Sequence, residues 1–336
     1  MRQIKIGQKL VGDGCPVLII AEVGINYDND FEKAHRLIDL AVDAGVDVIK
    51  FQTFTADGLV SRKGSNRQWE LHKQYELPYE RHAELKKHVE QQGCVFLSTP
   101  SDERDVDFLE KLGVVAFKLG SDDSTNYPFL KYVAQKGLPM IVATGLCTIG
   151  DVYEAVSTVR RTGNEDLIIL QCTTSYPAHP QYANLRTMKA MSESLQVPVG
   201  YSDHIIGINV VTAAVALGAV VIEKHFTYDK NASGPDHSLS ADPAELQAMV
   251  QAIREAEQAL GSPFKQPTEI EREALISFRK SVIATQDIAA GSIITDKMVV
   301  PKRPGTGIPA REIDLVIGRT ARRSIECDEV ITWGDI

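Results

Sequence analysis

Apolar positions in the first three quarters of the chain alternate between two patterns. Short unbroken runs at residues 17–21, 46–49, 94–97, 114–117, 140–143, 167–170, 197–199 and 220–222 read as strands buried on both faces, as in a parallel sheet. Most are rich in Val and Ile, which suit a pleated, packed surface. Between them lie longer segments with helical spacing, such as 31–44, 102–112 and 151–161. Eight strand–helix units in about 250 residues predict a (β/α)8 TIM barrel. An open doubly wound sheet is the competing architecture, but it seldom has so many units, and no GxGxxG follows the first run.

The last helix of this region is the most completely specified. Asp242 suits the N-cap, Pro243 the first helical position and Glu245 a capping box. Leu246, Met249, Val250, Ile253 and Leu260 then recur at helical spacing, and Gly261 stops the helix. The periodicity changes there. Residues 262–280 are charged and Pro-punctuated, and read as a linker with a short helix. Residues 281–336, with β-rich runs at 282–284, 293–295 and 298–300, predict a small second domain. The barrel domain is thus expected over 1–261.

Composition narrows the partners. The 336 residues are 43% hydrophobic and 24% charged with a net charge of −9. That balance argues against nucleic acid as a main partner. No apolar stretch approaches the roughly 18 residues a membrane span needs, and residues 1–9 lack the apolar core of a signal peptide. A cytoplasmic protein is expected. Five scattered cysteines without CxxC spacing fit a reducing compartment.

The chemistry sits where the runs end. The first leads to Glu22, Gly24 and Asn26, the second to Lys50 and Gln52, the third to Ser98 and Thr99. The fourth leads to Lys118, Gly120, Ser121, Asp122 and Asp123, the fifth to Thr144 and Gly145, the sixth to Gln171, Thr173, Thr174, Ser175 and Tyr176. The last two give Ser202 and His204, then Glu223, Lys224 and His225. A closed barrel brings all of these to one mouth. Lysines and hydroxyls there form a cradle for phosphate or carboxylate. His204 and His225, at the ends of neighbouring strands and each beside a carboxylate, are candidate ligands for one divalent metal, with Mn²⁺, Mg²⁺, Fe²⁺ and Zn²⁺ all compatible. Two bland readings stand beside these: Glu22 pairing with a barrel lysine, and Asp122-Asp123 as a turn. Alternation along the last strand turns Lys224 outward if Glu223 and His225 face in. His35, His72, His82, His88, His179 and His237 lack such context and are expected at the surface.

Several segments resemble the sialic acid synthase family: Ala21-Glu22-Val23-Gly24-Ile25-Asn26, Val48-Ile49-Lys50-Phe51-Gln52-Thr53, Phe117-Lys118-Leu119-Gly120-Ser121 and Gly200-Tyr201-Ser202-Asp203-His204. So do Ile222-Glu223-Lys224-His225-Phe226-Thr227, Gly234-Pro235-Asp236-His237-Ser238-Leu239 and Lys302-Arg303-Pro304-Gly305. The resemblance runs in order along essentially the whole chain. It implies a barrel joined to a C-terminal antifreeze-like (SAF, β-clip) domain. The implied reaction condenses phosphoenolpyruvate (PEP) with an N-acetylated aldose, usually N-acetylmannosamine, giving a nine-carbon 2-keto acid and phosphate. It further implies PEP binding by Lys50, Thr99, Lys118, Ser121, Ser175 and Ser202, a catalytic role for Glu22, and a metal, Mn²⁺ or Mg²⁺, on His204 and His225. Sugar contacts are implied for Asp123, Tyr176, Glu223 and Asp236, and for Arg303 from the partner subunit of a swapped homodimer. The chain departs from the family pattern at Tyr27 (often histidine), Asp123 (often glutamate) and Thr174 (often asparagine), each expected to reshape the sugar pocket.

Other acceptors remain open: a 6-phosphorylated sugar, or diacetamido sugars leading to legionaminic or pseudaminic acid. A metal-dependent pyruvate aldolase also fits a barrel with two histidines. A non-catalytic scaffold carrying an ice- or carbohydrate-binding domain does not account for the full set of polar strand ends.

Overall fold

The structure is a computed structural model that describes residues 3–336. These form two compact units, one ending at Gly261 and the other spanning Ser262–Ile336. The first opens with a hairpin, β1 (Ile4–Ile6) and β2 (Lys9–Val11), which the apolar runs did not reveal. Eight parallel strands follow: β3 (Leu18–Gly24), β4 (Val48–Thr53), β5 (Val95–Pro100), β6 (Phe117–Leu119), β7 (Met140–Ala143), β8 (Leu167–Cys172), β9 (Val199–Asp203) and β10 (Val221–His225). Their order is β5-β4-β3-β10-β9-β8-β7-β6, so the first barrel strand pairs with the last. β5 and β6 lie side by side and complete the cylinder. This is the expected TIM-type barrel.

Two apolar layers hold it together. Outward residues such as Ile19, Ile49, Phe96, Phe117, Val142, Ile169, Tyr201 and Ile222 pack under the helices. Inward residues Leu18, Ile20, Val48, Leu97, Ile141, Ile168, Leu170 and Val221 fill the cylinder, and Ile4, Ile6 and Val11 of the hairpin join that inner cluster. Each such side chain contributes about 1.5–3 kcal/mol when fully buried. At Gly200 the inner layer has no room for more: an added Cβ would lie 2.5 Å from the Val221 carbonyl oxygen and 2.7 Å from Leu170 Cδ2.

Most of the strands extend beyond the apolar runs toward their C-terminal ends. The polar residues at the mouth are therefore mostly part of the strands, alternating inward while apolar or non-site residues face out. The ladder fixes their height: Glu22 pairs with Lys50 on one side and His225 on the other, and Glu223 pairs with Ser202. Gly24, with φ of +55°, takes up the register shift that follows Glu22.

The final helix spans Pro243–Leu260 with both bonds of the Asp242/Glu245 capping box. Between β4 and β5, helices Ala56–Leu59, Asn66–Gln74 and Tyr79–Gln91 form a long excursion.

In the second unit, helix Arg272–Phe278 lies in the segment expected as a linker, and the Gly305 N–H donates to the Ile276 carbonyl at 2.7 Å. Strands β11 (Ser281–Ala284) and β12 (Val299–Lys302) pair antiparallel. A small core of Val282, Ile288, Ile294, Val299, Ile325 and Ile331 supports them.

Candidate active site at the barrel mouth

A cleft of about 300 Å³ opens at the C-terminal ends of the strands. At its base lie four charged side chains, all nearly inaccessible. Lys50 Nζ is 2.5 Å from Glu22 Oε2 and 3.7 Å from Glu223 Oε2, and Lys118 Nζ is 3.2 Å from Glu223 Oε1. Gln52 donates to Glu22 Oε1 (3.1 Å), Lys50 to Thr99 Oγ1 (3.1 Å) and Ser202 Oγ to Glu223 Oε1 (2.9 Å). Charges this deep persist only as a mutually paired set.

The two carboxylates are in opposite states. Burial raises Glu22 to about 7, and Glu223 pushes it the same way, while Lys50 only partly offsets both. Burial also opposes ionisation of Glu223, but Lys118 and Lys50 together with the Ser202 hydroxyl outweigh it and bring it down to about 2. Glu223 is thus a fixed anion, and Glu22 can gain or lose a proton near neutrality.

Above this tetrad the rings of His204 and His225 stand 5.4 Å apart, tilted by 49°, with the Tyr176 ring 4.2 Å from His204. His204 Nδ1 meets the Thr173 carbonyl at 3.0 Å, which assigns the proton to that nitrogen. Burial, with the nearby His204 and Lys50, drives His225 well below the usual histidine range and keeps it neutral. Its Nδ1 is buried without a hydrogen-bond partner. Among the described residues no cluster of three or more His, Cys, Asp or Glu converges as a metal site. The two imidazoles nonetheless fit a divalent cation: one ring is held neutral, the other has its proton tied to a carbonyl, and neither Nε2 has a protein partner among the described residues.

Most of the residues singled out from sequence meet here. Glu22, Lys50, Thr99, Lys118, Ser121, Asp123, Tyr176, Ser202, His204, Glu223 and His225 all line the cleft. Ser175 does not: it is exposed and its hydroxyl donates to the Pro177 carbonyl. Its neighbour Thr174 takes that place, with a buried hydroxyl that has no partner. Asp236 sits beside the cleft, its carboxylate 3.8 Å from His225 Nδ1. Tyr27 is also outside; its ring is buried under the helices, and its hydroxyl donates to the Tyr75 carbonyl in the β4–β5 excursion. Lys224 leaves the lysine cradle, since its ammonium is buried against Asp203 Oδ2 at 2.6 Å on the outer face. His82 and His237, expected at the surface, are fully buried. Arg303, in the second unit, lies exposed over the Phe278 ring at 4.4 Å.

Some lining residues were not singled out from sequence. Cys172 follows the inward period of Ile168 and Leu170, a signal the sequence carried. Phe54, Leu59 and His72 come from the β4–β5 excursion, and no local pattern announces them.

Comparison with known proteins now decides the family. The NeuB family model matches residues 37–265 and the SAF domain model residues 279–336. The chain belongs to the NeuB family. It is similar to the N,N'-diacetyllegionaminic acid synthase of Legionella pneumophila, 39% identical over 98% of this chain and 97% of that one. It is also similar to the N-acetylneuraminate-9-phosphate synthase of Homo sapiens, 36% identical over 96% of this chain and 93% of that one. Among solved structures, the N-acetylneuraminic acid synthetase of Leptospira borgpetersenii serovar Hardjo-bovis, in complex with citrate, superposes with a TM-score of 0.77 at 33% identity. That match covers 82% of this chain and 95% of the other. This NeuB-family chain is an enzyme of PEP-dependent sugar-acid synthesis.

Proposed function

We propose that this enzyme condenses PEP with a neutral N-acetylated aldose, N-acetylmannosamine or a close relative, to give a nine-carbon 2-keto acid and phosphate. The observation that carries this reading is the pairing, in one cleft, of two buried lysines with a carboxyl poised near neutral pH. An anion with both a carboxylate and a phosphate can draw Lys50 and Lys118 away from their glutamates, and Thr99, Ser121, Thr174 and Ser202 supply further hydrogen bonds. A pyruvate aldolase would leave half of this cradle without a ligand.

The reaction joins C3 of PEP to the aldehyde carbon of the sugar, whose C=O π bond opens and whose oxygen takes up a proton to become a hydroxyl. Positive charge then develops at C2, where water adds, and the C2–O bond to phosphate breaks. Glu22 Oε2 accepts the proton of that water, while Gln52 fixes Oε1. As Lys50 turns toward the incoming anion, Glu22 loses its counter-charge and becomes a stronger base. Glu223 remains ionised and anchors Lys118 and Ser202. His204 and His225 would hold a divalent cation, Mn²⁺ or Mg²⁺, which when bound supplies Lewis-acid polarisation of a carbonyl oxygen. Tyr176 and Asp123, which line the same cleft, would contact the sugar.

The charge at the rim supports a neutral acceptor. Both lysines of the cleft are buried, whereas Asp122, which is exposed, and Asp123, which is half-buried, line it nearer solvent. A second phosphate there would face carboxylates. A competition assay of phosphate release with N-acetylmannosamine, its 6-phosphate and a 2,4-diacetamido hexose tests this. The neutral sugars should turn over at least tenfold faster than the phosphorylated one; a preference for the 6-phosphate would overturn the assignment.

We also infer that Arg303 reaches a neighbouring subunit's sugar in a swapped homodimer. Its guanidinium has no ion-pair partner among the described residues, and a planar donor suits an N-acetyl carbonyl. Arg303→Ala should raise the sugar KM at least tenfold and leave the PEP KM unchanged. An unaltered sugar KM would remove Arg303 from the site. No helix among the described residues is long and apolar enough to cross a membrane.

A further inference from the structure

The buried, unpartnered Nδ1 of His225 calls for an explanation, because polar atoms at this depth are almost always paired. The Asp236 carboxylate lies 3.8 Å away. If Nδ1 carried a lone pair, it would face an ionised carboxylate acceptor to acceptor. If it carries the proton, the carboxylate is the natural acceptor, and closing the gap takes a side-chain shift of about 1 Å to reach ordinary hydrogen-bond length.

The backbone of Asp236 is braced so that little else can move. Its carbonyl accepts from Ser240 Oγ at 2.6 Å, and Ser240 Oγ accepts from Asn26 Nδ2 at 2.9 Å. The next residue, His237, is fully buried and bonded at both ring nitrogens, to Thr227 Oγ1 at 2.6 Å and Asp28 Oδ1 at 2.8 Å. Gly234 lies flat against this clasp: an added Cβ would come within 2.6 Å of His237 Cδ2. The segments that follow β3 and β10 thus converge to hold one carboxylate beside one imidazole.

We propose that Asp236 is a positioning residue: it binds the Nδ1–H of His225, fixes that tautomer and leaves Nε2 free toward the cleft, and the His237–Asp28 clasp holds it there. His204 shows the same arrangement with the Thr173 carbonyl as acceptor. Both rings thereby present the same nitrogen, as metal-binding histidines do when an outer partner sets their tautomer. The inference rests on the reading of His225 as a cation ligand, but part of its test does not.

The test uses metal-free full-length protein with ¹⁵N-labelled histidine and no sugar. Two-bond ¹H–¹⁵N correlation should show His225 protonated at Nδ1 in the wild type. Asp236→Ala should move the proton to Nε2 or give a mixture, whereas Asp236→Asn, whose amide oxygen still accepts, should retain the wild-type tautomer. In a parallel titration followed by EPR of free Mn²⁺, Asp236→Ala should weaken binding about 10- to 100-fold and Asp236→Asn much less. Wild-type His225 protonated at Nε2 would overturn the proposal. So would an Asp236→Ala variant with unchanged tautomer and Mn²⁺ affinity, its defect confined to the sugar KM. If the wild type binds no Mn²⁺, the cation reading fails while the tautomer measurement still decides the role of Asp236.

Discussion

Glu22→Gln is expected to lower kcat by about 10²–10⁴, the usual worth of a positioned general base. The amide keeps the size and the contact with Gln52 but cannot take a proton from water. The pH dependence separates loss of the base from loss of shape. A carboxyl ordinarily titrates near 4.5, and here burial raises Glu22 to about 7. The base works only when unprotonated, so kcat/KM of the wild type should fall tenfold per pH unit below about 7. The corresponding limb of kcat should lie at higher pH, because bound PEP adds negative charge beside Glu22. In Glu22→Gln the acidic limb should vanish. A residual activity that keeps the same limb would assign that proton to another group.

Lys118→Met should act on both binding and folding. It removes a partner of Glu223 and leaves a buried carboxylate with Lys50 at 3.7 Å and the Ser202 hydroxyl. Breaking such a pair from one side costs about 3–5 kcal/mol of stability. The PEP KM should rise about 100-fold or more, since a charge-assisted contact to an anion is lost in a water-poor cleft. Lys118→Met/Glu223→Gln separates the two effects. Neutralising the stranded carboxylate should restore most of the thermal stability without restoring PEP binding. If PEP affinity returned with stability, the lysine would be structural only.

The barrel was legible because its strands are buried on both faces and so appear as unbroken apolar runs. Their ends were not. Lys50 and Glu223 look like terminators in the sequence, yet Phe51 and Lys224 continue the strands with outward side chains that are fully buried. An apolar criterion stops at the first inward polar residue, whereas period-two alternation passes through it. The site histidines were legible for the same reason, standing at strand ends among polar neighbours. His237 was not, because its partners Asp28 and Thr227 come from separate loops and only the fold assembles them. Ser175 and Thr174 are adjacent hydroxyls, and only the backbone path of the loop after β8 decides which one faces the cleft. The hairpin of β1 and β2 escaped notice because Ile4, Ile6 and Val11 are too few to form a run.

The most direct test follows the atoms of PEP. With the bridging C2–O oxygen labelled ¹⁸O, the enzyme, Mn²⁺ and N-acetylmannosamine or a related N-acetylated aldose should yield a nine-carbon 2-keto acid, with all of the label in inorganic phosphate by ³¹P NMR. Pyruvate should not replace PEP. Label retained in the keto acid, or equal product formation from pyruvate, would contradict the account.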